Sequence, residues 1–396
     1  MRVKSRLRSA ALAVALLLAC PTIGGTPASA ADPVEVAVVI SQTGQGAFLG
    51  GQLKLSMDLA QEYVNKTGGI HGRPLKLVFY DDQTNPQVDV QLFTQLAQKR
   101  ASVVLGPSMT APCLAAAPIV VSGGPVELCS SPALHPAHGS YVFSLSPSII
   151  DDMAVYMRYF RLHNWNRVGL ITSADATGQD VERAVAAVLG LPENHNLKLV
   201  ESDRFALGDI NVAAQMARLK AANCDAIVAW TTGAPWGTVL HGINDAGITV
   251  PIAGSPGDMV NGQMDQLASL LPPHLIFAGV NGMVRNALRP GPVRDAQQAY
   301  YTSLDGVHAR VDFGNLIPWD ATMIVVDALR HLGPDATADQ VRAYILGLHG
   351  WPGVEGVYDF GDREQRGVGQ NALFIAGWDA GKKEWVALSR PGGYLK

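Results

Sequence analysis

Residues 34–40 read Val-Glu-Val-Ala-Val-Val-Ile, a near-continuous apolar run rich in β-branched side chains. A strand with both faces buried needs such a run, and parallel sheets bury both faces. The run ends in a turn signal, Ser41-Gln42-Thr43-Gly44-Gln45-Gly46. Leu53, Met57, Ala60 and Val64 then recur at helical spacing until Gly68-Gly69 stops the helix. Leu75 to Tyr80 predicts the next strand, about Gln87 to Lys99 a helix, and Ser102 to Leu105 a third strand. Strand and helix in alternation predict right-handed crossovers and a parallel sheet.

The rhythm restarts after Ser146. Helices are predicted from Ile149 to His163, Val181 to Leu189 and Val212 to Ala221. Strands are predicted at Val168 to Thr172, Lys198 to Glu201 and Asp225 to Trp230. Later helices fall near Val293 to Tyr301 and Pro318 to His331, and the last segments, Val354 to Phe360, Leu373 to Trp378 and Trp385 to Leu388, read as β-rich. Two copies of one pattern predict an α/β protein of two doubly wound parallel-sheet lobes. The expected division is 31–146 plus 282–352 for the first lobe and 147–281 plus 353–396 for the second.

The first thirty residues carry an export signature. Arg2, Lys4, Arg6 and Arg8 precede the apolar run Ala10 to Ala19, and Ala28-Ser29-Ala30 offers a small-x-small cleavage site. Residues 1–30 therefore read as a signal peptide, with a periplasmic or secreted product. Leu17-Leu18-Ala19-Cys20 partly resembles a lipoprotein box, a second and less favoured processing route. A formal net charge of −4 argues against a nucleic-acid partner, which demands a basic face. Cys113, Cys129 and Cys224 are too few for a disulfide framework. Buried free thiols are the favoured state of all three, with a Cys113–Cys129 bridge the alternative.

Ligands of parallel sheets sit at the carboxyl ends of the strands. That rule selects the loops 41–51, 106–110, 128–131, 172–178 and 231–236, which are rich in Gly, Ser and Thr and nearly uncharged. Hydroxyls and backbone N–H groups at helix starts make a site for an anionic group, although the same residues also serve as turns and caps. Gly44-Gln45-Gly46-Ala47-Phe48-Leu49-Gly50 fits a dinucleotide-type loop, but no acidic residue follows at the expected distance, and Asp81 and Asp82 come too late. No Gly-x-Ser-x-Gly elbow is present. His135-Pro136-Ala137-His138 reads as a turn rather than a zinc site. No catalytic residue, metal or cofactor is expected, and an enzyme is not.

Thr43-Gly44 to Gly50, Asn65-Lys66-Thr67-Gly68-Gly69-Ile70-His71-Gly72-Arg73-Pro74-Leu75 and Tyr80-Asp81-Asp82 together resemble the type I periplasmic binding proteins of branched-chain amino acid importers. The resemblance implies two lobes joined by three crossings, closing on a ligand by hinge motion, with an ABC-type permease as partner and a monomeric state. It puts Thr110 and Ser130 on a ligand carboxylate and the Leu128 carbonyl where an ammonium would be accepted. Phe48 and Leu49, then Thr177 and the loop containing Thr231, Gly233 and Pro235, are the residues expected around the ligand's body. Leu49 and Thr177 stand where the family often has aromatic side chains.

Pro256 is the main departure, since amino-acid binders carry an acidic residue near that position. A buried ammonium without an anion is costly, which favours a carboxylate lacking an amino group. Thr172 to Asp180 and Trp230 to Pro235 likewise resemble the branch associated with aromatic acids. Asp175 and Glu127 are the candidates for a substitute anion, although a cap or rim role is favoured for each. An amino acid ligand, or a sensor role in which the closed form engages a receptor, are the alternatives.

Overall fold

The computed structural model describes residues 32–121, 123–285, 290–361 and 365–396. The export segment and Cys20 lie outside the described residues. Strands β1 (Val34–Ile40), β2 (Leu75–Asp81), β3 (Val103–Leu105), β4 (Val126–Cys129) and β5 (Val142–Ser144) form one sheet in the order β2-β1-β3-β4-β5. Every pairing within it is parallel. A second sheet takes β6 (Arg167–Ser173), β7 (Lys198–Phe205), β8 (Ala226–Trp230), β9 (Ile252–Gly254) and β10 (Leu275–Val280). A short ribbon, β11 (Trp351–Pro352) with β12 (Val357–Tyr358), comes before β13 (Leu373–Asp379) and β14 (Glu384–Ala387), which extend the second sheet antiparallel. Its order is β14-β13-β10-β9-β8-β6-β7, so the parallel part repeats the order of the first sheet.

Helices α1 (Ala47–Lys66), α2 (Pro86–Gln98) and α3 (Thr110–Val120) follow β1, β2 and β3. α4 (Ile149–Leu162) leads into the second sheet, where α5 (Ala176–Leu189), α6 (Ala213–Ala221), α7 (Pro235–Asp245) and the short α8 (Asn261–Gln266) are the crossovers. The chain then returns through α9 (Pro292–Gly306), α10 (Phe313–Leu332) and α11 (Ala338–Leu346). α10 packs along α1, and α11 touches β4, so these helices complete the first lobe. α10 starts earlier than the expected Pro318 because Asp312 and Asn315 form a reciprocal capping box upstream of it. A cap of this kind contributes about 1 kcal/mol.

Both faces of each sheet are covered, which explains the apolar strands. Val38, Val39 and Ile40 are all essentially inaccessible. On one face of the first sheet, Val39 and Val104 meet Phe93 of α2 and Val120 of α3 in a separate small core. The Cys113–Cys129 disulfide crosses this core, joining α3 to β4, and Cys224 is the buried free thiol. This corrects the expectation of free thiols: the two cysteines lie on neighbouring elements that face each other. Closing a loop with a sequence separation of 16 contributes about 3 kcal/mol.

The last crossing also differs from the expected boundary after residue 352. Phe360 packs edge-on against Phe143 of β5 at 5.7 Å, and the Ser144 N–H donates to the Gln365 carbonyl at 3.1 Å. The Arg366 guanidinium then holds Ser144 Oγ at 2.7 Å and the Ser146 carbonyl at 2.6 Å. Residues 353–361 and 365–366 thus stay with the first lobe, and the chain crosses only just before β13. Among the described residues no helix is long and apolar enough to cross a membrane.

Candidate functional site

In each sheet the strand order reverses beside its first strand, between β1 and β3 and between β6 and β8. Loops leaving those strands diverge and open a crevice. The two crevices face one another across a cavity of about 90 Å³. At roughly 10–15 Å³ for each water-sized occupant, that is space for about six to nine heavy atoms.

The first lobe contributes Gln45 from the loop after β1, Leu49 from the first turn of α1, Ser108 to Thr110 after β3, and Ser130 to Pro132 after β4. Asp81 and Asp82, which were out of place for a nucleotide site, organise the first of these loops. Ser41 Oγ donates to Asp82 at 2.6 Å, and the Gln42 and Thr43 N–H groups donate to Asp81. Gly50 explains the glycine spacing: a Cβ there would lie 1.8 Å from the Ser41 carbonyl, so α1 can approach β1 only without one.

The second lobe contributes Ser173 at the end of β6 with Asp175 and Thr177 beyond it, Trp230 at the end of β8 with Thr231 and Thr232, and Ser255 to Gly257 after β9. Thr177 Oγ1 donates to Thr110 Oγ1 across the lobes at 2.8 Å, and Thr110 pairs with Ser131 Oγ at 2.7 Å. α3 begins without a side-chain cap, which leaves its first N–H groups turned to the cavity end of the helix. α5 is different: Asp175 accepts from the Gly178 N–H at 2.9 Å and from Ser173 Oγ at 2.8 Å. An anionic group is therefore better served at α3 than at α5.

Of the residues expected around a ligand, Leu49, Thr110, Ser130, Asp175, Thr177, Thr231 and Pro256 line the cavity. Phe48, Leu128, Gly233 and Pro235 do not. Phe48 is exposed on the outer side of the first turn of α1. The Leu128 carbonyl accepts from the Gly106 N–H at 2.9 Å within the sheet edge, so it is engaged already. Pro235 is buried at the start of α7, where its missing N–H costs nothing. Gly233 supports the cavity from behind, its N–H donating to Asp258 at 3.0 Å and its carbonyl accepting from Gln263. Glu127 is corrected as a candidate anion: it is fully buried in the small core of the first lobe, away from the cavity.

Asp152, Trp230, Leu207 and Phe313 line the cavity without having been expected there. Trp230 and Leu207 adjoin strand ends, and Phe313 opens α10. Asp152 had a signal of its own: in Ser148-Ile149-Ile150-Asp151-Asp152 the capping box uses Asp151 alone, leaving the second acid without a local task. Ser108 Oγ, Thr231 Oγ1 and Trp230 Nε1 are buried and lack hydrogen-bond partners among the described residues, an arrangement that suits a polar guest. Among the described residues, Cys113, Glu127 and Cys129 are the one group with ligand atoms close enough for a metal, and their sulfurs are spent in the disulfide.

Known proteins agree with this architecture. The periplasmic binding protein family model matches residues 33–383. A Leu/Ile/Val-binding protein homolog of Brucella melitensis is 26% identical over 244 residues, covering 60% of this chain and 64% of that protein. A periplasmic binding protein type 1 from Bordetella pertussis superimposes with a TM-score of 0.77 at 23% identity, covering 91% of this chain and all of that one. LivJ of Streptococcus pneumoniae, a branched-chain amino acid transporter substrate-binding protein solved with isoleucine, gives 0.74 at 18% identity, covering 90% and 98%. By its family match over nearly all of the described chain, this protein belongs to the periplasmic binding proteins.

Proposed function

We propose that the protein is the extracytoplasmic solute-binding component of an ATP-driven importer, and that it captures a small apolar amino acid without chemical change. One observation carries the reading: hydroxyl groups from both lobes converge on a closed, ligand-sized cavity and meet each other at Thr110 and Thr177. The ligand carboxylate is assigned to Thr110, Ser130 and the uncapped start of α3. Leu49, Trp230, Phe313 and Pro256 supply an apolar enclosure for the side chain. Closure excludes water, which strengthens each hydrogen bond inside. The closed form is then the one a permease recognises.

The expected preference for an aromatic or other amine-free acid gives way here. Among the described residues the cavity lining holds two carboxylates, Asp152 and Asp175, and no lysine, arginine or histidine. A purely anionic ligand brings no cation to meet these groups, whereas a zwitterion does. Relatives named for Leu, Ile and Val binding, and the isoleucine complex of LivJ, support the same choice. Pro256 still favours the organic acid, because no anion stands at its position. Titration calorimetry with the twenty amino acids and with benzoate and 4-hydroxybenzoate tests the proposal. Micromolar or tighter binding of an apolar amino acid is expected; binding of the aromatic acids alone overturns it.

A further inference from the structure

We infer that Asp152 is the residue that accepts the ligand's ammonium group, so that the anion missing at Pro256 is supplied from the first turn of α4. The inference rests on the solute-binding reading above and names the group that sets its ligand class. Asp152 is 2% exposed and lines the cavity beside Ser146 and Pro147. No hydrogen bond from the described residues reaches its carboxylate. A buried carboxylate without a donor is expensive, and one that faces a cavity has room for a partner to arrive.

Its neighbours explain why that partner is a ligand. Asp151 is engaged by Ser148, whose Oγ donates to it at 2.6 Å. Asp175, the other carboxylate of the cavity, is committed to the cap of α5. Tyr156, one turn further along α4, gives its hydroxyl proton to the Gly254 carbonyl and accepts from the Ala278 N–H. Asp258, nearest in sequence to Pro256, accepts from the Gly233 N–H and is not a lining residue. Among the described residues Arg366 is the cation acting on Asp152, and its NH1 nitrogen is held by Ser144 Oγ and the Ser146 carbonyl. Burial, followed by the charge of Asp151, pushes the Asp152 carboxyl well above its ordinary range, while Arg366 opposes this. Burial thus favours the protonated carboxyl when no cation is near, and an arriving ammonium opposes that shift.

The two ends of an α-amino acid then have separate anchors. The carboxylate goes to the hydroxyls and helix start of the first lobe, and the ammonium goes to Asp152 of the second. A ligand with both charges bridges the lobes and rewards closure. One with a carboxylate alone leaves Asp152 protonated and contributes nothing to the second lobe's grip.

The test is calorimetry on the wild type and Asp152→Asn with L-leucine, L-isoleucine and L-valine, and with 4-methylpentanoate, which is leucine without its amino group. The expected result is a loss of 30-fold or more in amino acid affinity for Asp152→Asn, with 4-methylpentanoate unchanged or tighter. Equal amino acid affinities in the two proteins overturn the role of Asp152 and leave the solute-binding proposal standing. Binding of 4-methylpentanoate or benzoate by a wild type that ignores all three amino acids overturns both. A second readout needs no variant: leucine stays zwitterionic from pH 4.5 to 7.5, so its affinity should fall at the acid end as Asp152 takes up its proton. A flat profile with tight leucine binding overturns the inference.

Discussion

The hydroxyls of Thr110 and Thr177 meet at 2.8 Å although one belongs to the first turn of α3 and the other to the first turn of α5. They come from different lobes, Thr110 beyond β3 and Thr177 beyond β6, each just past a strand that flanks a reversal of strand order. A single hydrogen bond thus reports on the closed arrangement of the two lobes. It also puts Thr110 at the junction of three hydroxyls, since Ser131 is its other partner.

Thr110→Val keeps the shape of the side chain and removes the junction. A charged acceptor left short of one donor costs about 1–3 kcal/mol, equivalent to roughly 5- to 150-fold in Kd. Calorimetry should show that loss while the melting temperature of the free protein moves little. An unchanged Kd would remove Thr110 from the site.

His135, in the loop after β4, forms a second link between lobes: its Nε2 lies 3.0 Å from the Asp180 carboxylate oxygens of α5. Burial raises the Asp180 carboxyl, but His135 and then Arg183 outweigh it and hold the group below its ordinary range. His135 is half exposed, so the pair contributes only about 0–1 kcal/mol. His135→Ala is expected to weaken ligand affinity by up to about fivefold and to shift the ligand-free scattering profile towards a larger radius. Because Asp180 is depressed, its contribution is present above pH 3.8 and lost as the pH falls through the folded value. An identical profile and Kd in the variant would make the pair a bystander.

Legibility in the sequence followed burial. Strands covered on both faces read as unbroken apolar runs, so β1, β6 and β8 were visible, as was the repetition that predicts two lobes. β5 and β9, three residues each, have too little sequence to carry a pattern. The loops that carry Thr110, Ser130 and Thr177 were legible because they stand at strand ends, where the fold class itself directs ligands, while the three residues were singled out by the family resemblance. Asp152 was hidden by its setting: acidic residues in a first helical turn usually serve the helix dipole. The disulfide was hidden because sequence spacing does not report which faces of α3 and β4 oppose each other.

Asp89 and Glu127 make a pH prediction for stability. Both are fully buried, and their carboxylate oxygens lack partners. Burial and the neighbouring Asp82 push Asp89 up to about 8, and burial with Asp89 pushes Glu127 well above its usual range. A raised folded pKa means that the native state holds protons that the unfolded chain releases. The contribution is complete below about pH 4 and is lost as the pH climbs towards 8, at up to about 1.4 kcal/mol per pH unit for each group. Thermal melts should show the protein less stable at pH 8.5 than at pH 5.5, and Asp89→Asn with Glu127→Gln should flatten that slope. A slope unaltered by the double variant would assign the pH response to other buried carboxyls.

Gly233 separates closure from folding. Its φ of +80° already favours glycine, and a Cβ there would lie 2.7 Å from the Gln45 carbonyl, which belongs to the opposite lobe. A methyl group can be accommodated only if the two lobes stand further apart, because a backbone oxygen cannot rotate away as a side chain does. Gly233→Ala should therefore retain a cooperative thermal transition, with about 1 kcal/mol lost to the left-handed backbone. Ligand affinity should fall by more than tenfold, and the scattering profile with ligand should remain that of the open form. The adjacent control is Gly262→Ala, where a Cβ meets nothing within 4 Å, and which should bind as the wild type does. Full affinity in Gly233→Ala would mean that the lobes grip the ligand without bringing Gln45 and Gly233 together, and the close approach of these two residues would then play no part in capture.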